Sequence, residues 1–143
     1  MFKAIIIGGT GATGKQLLNQ LLQNQNCELV TSIGRKPVSD GAKNDKLVDI
    51  VVESLSNLSS TEKSWAGNDV FFNCIGTTRQ RAGGAQEFIH IEAGISNEAA
   101  KMASNAKIHH ASLVSAKGAN HKTWAKDWIH PLLYMRTMGQ KEQ

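Results

Sequence analysis

The 143-residue sequence contains no apolar run approaching the roughly 20 residues of a membrane-spanning helix. It has two cysteines, Cys27 and Cys74, too few for a disulfide framework and not in a metal-type spacing. Both are expected as buried, reduced thiols. The five histidines also lack ligand spacing. His109 and His110 are adjacent, and neighbours on a strand point to opposite faces, so no metal is expected. Lys and Arg outnumber Asp and Glu by 16 to 12, but no block of five or six basic residues occurs. That scatter argues against a nucleic-acid partner and leaves a solvated surface with room for a small anionic ligand. No internal repeat or low-complexity linker breaks the chain. Phe2 to Ile7 follows Met1 directly and runs into glycine, which leaves no room there for a signal or transit peptide. The expectation is a cytoplasmic protein in a reducing compartment.

What is present suits one domain with a proper core. Hydrophobic residues make up 41% and charged residues 20%, the balance of a soluble globular chain. Phe2 to Ile7 reads as a buried strand, short, β-branched and ended by glycine. Ala12 to Asn24 reads as a helix whose Leu17, Leu18, Leu21 and Leu22 form one apolar stripe. Strands are expected at 28–33, 46–52, 70–75 and 108–115. A short helix is expected near 59–65 and a long one over 85–105, where Phe88, Ile91, Ile95, Ala99 and Met102 recur at helical spacing. Another helix begins at Pro131. Strands alternating with helices imply an α/β, Rossmann-type three-layer fold. Its sheet is expected to be mostly parallel and twisted, of order 3-2-1-4-5, and covered on both faces.

Between the first strand and the first helix lies Gly8-Gly9-Thr10-Gly11-Ala12-Thr13-Gly14. Gly8-x-x-Gly11-x-x-Gly14 in that context is a dinucleotide loop. The first glycine permits the tight turn, the second lets backbone approach a pyrophosphate, and the third lets helix pack on strand. The helix N-terminus then offers free N–H groups and partial positive charge to phosphate. A rival lies in Gly9 to Lys15, which fits part of an ATPase phosphate loop. That loop needs Ser or Thr next, to hold magnesium, and the residue is Gln16. NAD-selective sites carry an acid at the end of the second strand. Here Arg35 and Lys36 follow Ile33-Gly34, and these would pair with a 2′-phosphate, so the expected cofactor is NADP. Asp49, near the end of the third strand, is a candidate to bracket the adenine. Gly76, after the fourth strand, permits close approach beside the cofactor ribose.

Thr10-Gly11-Ala12-Thr13-Gly14, Ile33-Gly34-Arg35-Lys36, Cys74-Ile75-Gly76-Thr77-Thr78-Arg79 and Ser115-x-Lys117-Gly118-Ala119 occur in this order, followed by Tyr134. Together they resemble the atypical short-chain dehydrogenases of the Tat-interacting-protein oxidoreductase type, from Ala4 to Gly139. The resemblance implies a Rossmann fold, NADP(H) binding, and a Ser–Tyr–Lys catalytic group. It places Gly11, Gly14, Arg35, Lys36, Ile75, Gly76 and Tyr134 around the cofactor. Family members are longer, so residues 1–143 look like the cofactor-binding domain without the C-terminal, substrate-shaping part. Tyr134 would hand a proton to a carbonyl oxygen that Ser115 holds. Two departures stand out. Ala116 stands where relatives often carry a second serine, and Met138 stands where the lysine one turn after the tyrosine belongs. Lys141 lies seven residues on, roughly 10 Å along a helix axis, and Lys117 is another cation that could approach. The expected function is therefore an NADP(H)-dependent oxidoreductase of a small carbonyl or alcohol, with impaired turnover. The alternative is a non-catalytic NADP(H) sensor or protein-interaction module.

Overall fold

In a computed structural model, residues 1–77, 79–123 and 130–143 are described. The elements in chain order are β1 (Phe2–Ile7), α1 (Ala12–Gln23), β2 (Cys27–Gly34), β3 (Leu47–Val51), a 3-10 segment (Leu55–Thr61), α2 (Glu62–Trp65) and β4 (Val70–Asn73). Then come α3 (Arg79–Ala82), α4 (Ala85–Ile89), a π-helical turn (His90–Gly94), α5 (Ile95–Asn105), β5 (His110–Leu113) and α6 (His130–Glu142). The five strands form one sheet of order β3-β2-β1-β4-β5, as the sequence predicts. Every neighbouring pair is parallel.

Strand alternation divides the core between the two faces. Ile5 and Ile7 of β1 point one way, into a cluster with Ile33, Leu58, Trp65, Phe71, Ile95 and Ala99. Ala4 and Ile6 point the other way and pack with Leu18 and Leu21 of α1, Cys27, Val30 and Val70. All four β1 residues are fully buried, which is why this segment reads as a continuous apolar run rather than an alternating one. Trp65 ties the short helix to the sheet: its ring lies 5.1 Å from that of Phe71, and its Nε1–H donates to Thr61 Oγ1 at 3.0 Å.

Two features depart from the sequence expectation. The helix expected over 85–105 is three pieces, because a π turn interrupts it at His90–Gly94. And among the described residues the edge strand β5 is left uncovered: all four of its residues are exposed, as is Val114 beside them. Periodicity marks a strand but does not say whether another element packs on it. Among the described residues, no helix is long and apolar enough to cross a membrane.

Candidate cofactor site

The glycine loop leaves the carboxyl end of β1, where strand order reverses between β1 and β4. In open α/β sheets, ligands bind in the crevice at such a point. Gly8 has φ +81°, and a Cβ there would lie 2.6–2.7 Å from the backbone of Cys74 and Ile75. A Cβ on Gly14 would lie 2.0 Å from Gly8 O. Both glycines are therefore demanded by packing within the fold. Gly11 differs: a Cβ there would meet only Gly8 O, at an ordinary 3.5 Å. Thr10, Gly11, Ala12 and Thr13 are all exposed. Gly11 is the N-cap of α1 and makes no side-chain cap, and the first turn holds no acid. The amide end of α1 thus stands open to solvent.

Arg35 and Lys36 are exposed immediately after β2, one strand from the loop. The chain just after them, at Val38 and Ser39, is braced from β3. Asp49 Oδ2 accepts from Val38 N (2.9 Å), Ser39 N (3.2 Å) and Ser39 Oγ (3.2 Å). Asp49 therefore has a structural task that its sequence position did not reveal. Its other oxygen, Oδ1, is buried and has no hydrogen-bond partner among the described residues. Ser32, the register partner of Asp49 on β2, has a buried Oγ that finds no hydrogen-bond partner among the described residues, next to where a Cβ on Gly9 would sit.

After β4, Ile75 is buried and Gly76 exposed. Ile75 N donates to Asn73 Oδ1 (3.1 Å), and Asn73 Nδ2 donates to Ser96 Oγ (2.8 Å). Thr77 N donates to Glu92 Oε1 at 2.5 Å. Glu92 Oε2 pairs with Lys141 Nζ at 3.2 Å, and that ammonium donates to Ile75 O at 2.6 Å. Glu92 and Ser96 are contacts that sequence reasoning missed. The available signal was two polar residues, one helical turn apart, inside an otherwise apolar helix face. Thr78 of the same motif lies outside the described residues.

The expected catalytic residues lie on or beside different elements, Ser115 just after β5 and Tyr134 on α6. Tyr134 is half-buried and stacks on Phe88, with ring centroids 5.9 Å apart and planes at 27°. Ser115 Oγ donates to Glu142 Oε1, eight residues along α6 from Tyr134, or roughly 12 Å of helix. Met138 is 3% exposed. Lys117 is exposed, and Lys141 is engaged with Glu92 and Ile75. Burial pushes the Cys74 thiol above its ordinary 9.0, with the Lys141 charge opposing. Burial also raises Cys27, with Lys46 and a hydrogen bond to Leu29 O opposing. Neither thiol is set up as a nucleophile. Among the described residues, no three His, Cys, Asp or Glu side chains gather as a metal site.

A model described as NAD(P)H-binding matches residues 8–142, nearly the whole chain. The chain belongs to the NAD(P)H-binding family. Within it, the chain is similar to protein FMP52, mitochondrial, of Debaryomyces hansenii: 36% identical over 140 residues, covering 97% of this chain and 58% of that protein. It is also similar to protein HTATIP2 of Rattus norvegicus, 30% identical over 137 residues, covering 96% and 53%. The chain thus spans a little over half the length of these relatives, and the resemblance drawn from its motifs is borne out. Its fold matches a short-chain dehydrogenase/reductase superfamily protein from Agrobacterium tumefaciens with bound NAD, at a TM-score of 0.71 and 15% identity, covering 98% of this chain and 43% of that one. The expectation of a cytoplasmic protein is corrected by the relatives. Three FMP52 proteins among them are named mitochondrial. A cellular address is read by receptors, separately from the fold, so a strand that follows Met1 closely was no guide to compartment.

Proposed function

We propose that residues 1–143 act as one NADP(H)-binding domain of the short-chain oxidoreductase kind, reducing or oxidising a small carbonyl or alcohol with impaired turnover. The observation that carries this reading is the open amide end of α1 at Thr10–Thr13, one strand from the exposed Arg35 and Lys36. A dinucleotide fits the residues present. The α1 N-terminus would take the pyrophosphate, with Gly8, Gly11 and Gly14 keeping the approach clear. Arg35 and Lys36 would hold the 2′-phosphate, and Asp49, which braces the chain just after them, would stand near the adenine. Ile75 and Gly76 would border the nicotinamide half. Bound NADP(H) is the hydride donor or acceptor.

Tyr134 is the proton donor in this reading, and Ser115 the group that orients the carbonyl oxygen once it leaves Glu142. Turnover is impaired because Met138 supplies no cation, while Lys141 is committed elsewhere. That commitment favours the second reading, a non-catalytic NADP(H) sensor or protein-interaction module. The mitochondrial relatives make mitochondria the proposed setting.

Thermal stabilisation by NADPH, NADH and Mg-ATP tests the proposal. At about 100 times its Kd, a ligand adds about 2.7 kcal/mol. At about 2.1 cal/mol/K per residue, this corresponds to a Tm rise of roughly 9 °C for a chain of this size. NADPH is expected to give that rise at a lower concentration than NADH. No rise with NADPH refutes both readings. A rise with Mg-ATP alone returns the loop to the ATPase class.

A further inference from the structure

Lys141 and Glu92 stand 49 residues apart and are 4% and 1% exposed. A lysine near a helix end ordinarily carries its ammonium out to water along its flexible stem. Here it is drawn inward, and two buried charges are kept only where geometry and hydrogen bonds compensate their desolvation. The compensation is spent on three residues of irregular backbone. The ammonium takes the carbonyl of Ile75, the carboxylate takes the amide of Thr77, and the two charges meet between them. Glu92 lies in the π turn His90–Gly94. Such single turns re-aim side chains and are frequent at functional sites. Ser96, four residues on, reaches the same segment through Asn73.

We propose that Glu92 and Lys141 are a positioning pair that fixes the backbone of Ile75–Thr77 in the shape that accepts the nicotinamide half of the dinucleotide. The inference rests on the reading of the chain as a dinucleotide binder. The segment sits against the glycine loop, since Cys74 and Ile75 are the backbone that excludes a side chain from Gly8. Gly76 between the two anchored residues is exposed. Arg35 puts the adenosine end of a dinucleotide on the β2 side of the switch point, so the other half extends toward β4 and this segment. Lys141 thereby serves the cofactor loop rather than the phenol of Tyr134.

The test compares NADPH with 2′,5′-ADP, which carries only the adenosine half, by titration calorimetry on the folded chain. Wild type is expected to bind both. Lys141→Met is expected to weaken NADPH by about tenfold, the size of one charge-assisted hydrogen bond, and to leave 2′,5′-ADP unchanged. Lys141→Arg, which keeps the cation, should recover NADPH binding. If Lys141→Met does not fold, Glu92→Gln/Lys141→Met removes both charges together and leaves no unpaired ion. The same selective loss is expected of it. Equal loss of both ligands, or loss of neither, overturns the inference while leaving the dinucleotide reading intact. A wild type that binds neither ligand overturns that reading and this inference with it.

Discussion

Gly11 and Gly14 look alike as members of one motif, but the structure predicts different consequences for placing alanine at each. At Gly14 the new Cβ would lie 2.0 Å from Gly8 O, 2.8 Å from Gly8 C and 2.9 Å from Gly9 Cα. All three atoms are backbone, and none can swing aside as a side-chain tip could. Forcing extra volume into such a contact costs typically about 1–3 kcal/mol, and the severity of this overlap argues for the upper end. Alanine in a helix returns about 1 kcal/mol relative to glycine. The net expectation for Gly14→Ala is a loss of about 2 kcal/mol, or roughly 7 °C in Tm from the per-residue unfolding entropy. NADPH affinity should fall with it, because the loop must move.

At Gly11 the nearest atom is 3.5 Å away and the backbone is at φ −74°, ψ 170°, which any residue adopts. Alanine at an N-cap loses a few tenths of a kcal/mol or more, and the stiffer unfolded chain returns a similar amount. Gly11→Ala should therefore leave Tm within about 2 °C, since the net effect is under about 0.5 kcal/mol. It should still weaken NADPH by tenfold or more, since the space it fills is the space left for the phosphate (about 1.4 kcal/mol). Differential scanning fluorimetry gives the stability, and calorimetric titration gives the affinity. A Gly11→Ala chain that binds NADPH as well as wild type would falsify the assignment of this surface to the cofactor. A Gly14→Ala chain as stable as wild type would refute the packing account.

The other predictions concern the selectivity, chemistry and titration of the same chain. Replacing Arg35 by alanine removes a charge-assisted contact worth about 1.5–3 kcal/mol. NADPH affinity should then drop by about tenfold or more while NADH affinity barely changes; an equal drop for both would place Arg35 away from the 2′-phosphate. Tyr134→Phe should reduce carbonyl-dependent NADPH oxidation by about 10²-fold or more if the phenol is the proton donor. NADPH affinity should hold, and an unchanged rate would favour the binding-module reading. The raised thiols of Cys74 and Cys27 fix the sign of the alkaline limb of stability. Unfolding frees thiols that ionise near their ordinary 9.0, whereas the folded chain keeps them protonated to higher pH. Their contribution is full below about pH 9 and is lost as pH rises through the folded values. Urea unfolding at pH 7, 8.5 and 10 should show the decline only in the last interval, and Cys27→Ala/Cys74→Ala should flatten it.

The motif and the strand order were legible in the sequence because they rest on local signals. A β-branched run ended by Gly8, a leucine stripe at helical spacing and a basic pair after Ile33 each declare themselves within about a dozen residues. The parallel sheet follows from the alternation of such segments, since parallel strands need a crossover between them. Boundaries were less legible. The fourth strand ends at Asn73 rather than at Ile75, because Ile75 N turns to Asn73 Oδ1 instead of continuing the ladder. The π turn was invisible, since one extra residue in a turn leaves the apolar periodicity of Phe88, Ile91 and Ile95 almost undisturbed.

Sequence alone determined that this chain builds a strand–glycine loop–helix unit, and that a basic pair follows the second strand. Tertiary structure alone decided how the surrounding polar residues are spent. Asp49 braces Val38 and Ser39, Ser115 is held by Glu142, and Lys141 is buried on Glu92 and Ile75. The physical reason is one of range. A glycine or a leucine stripe acts on its immediate neighbours, whereas a buried charge takes its meaning from a partner that only the folded chain brings within 3.2 Å.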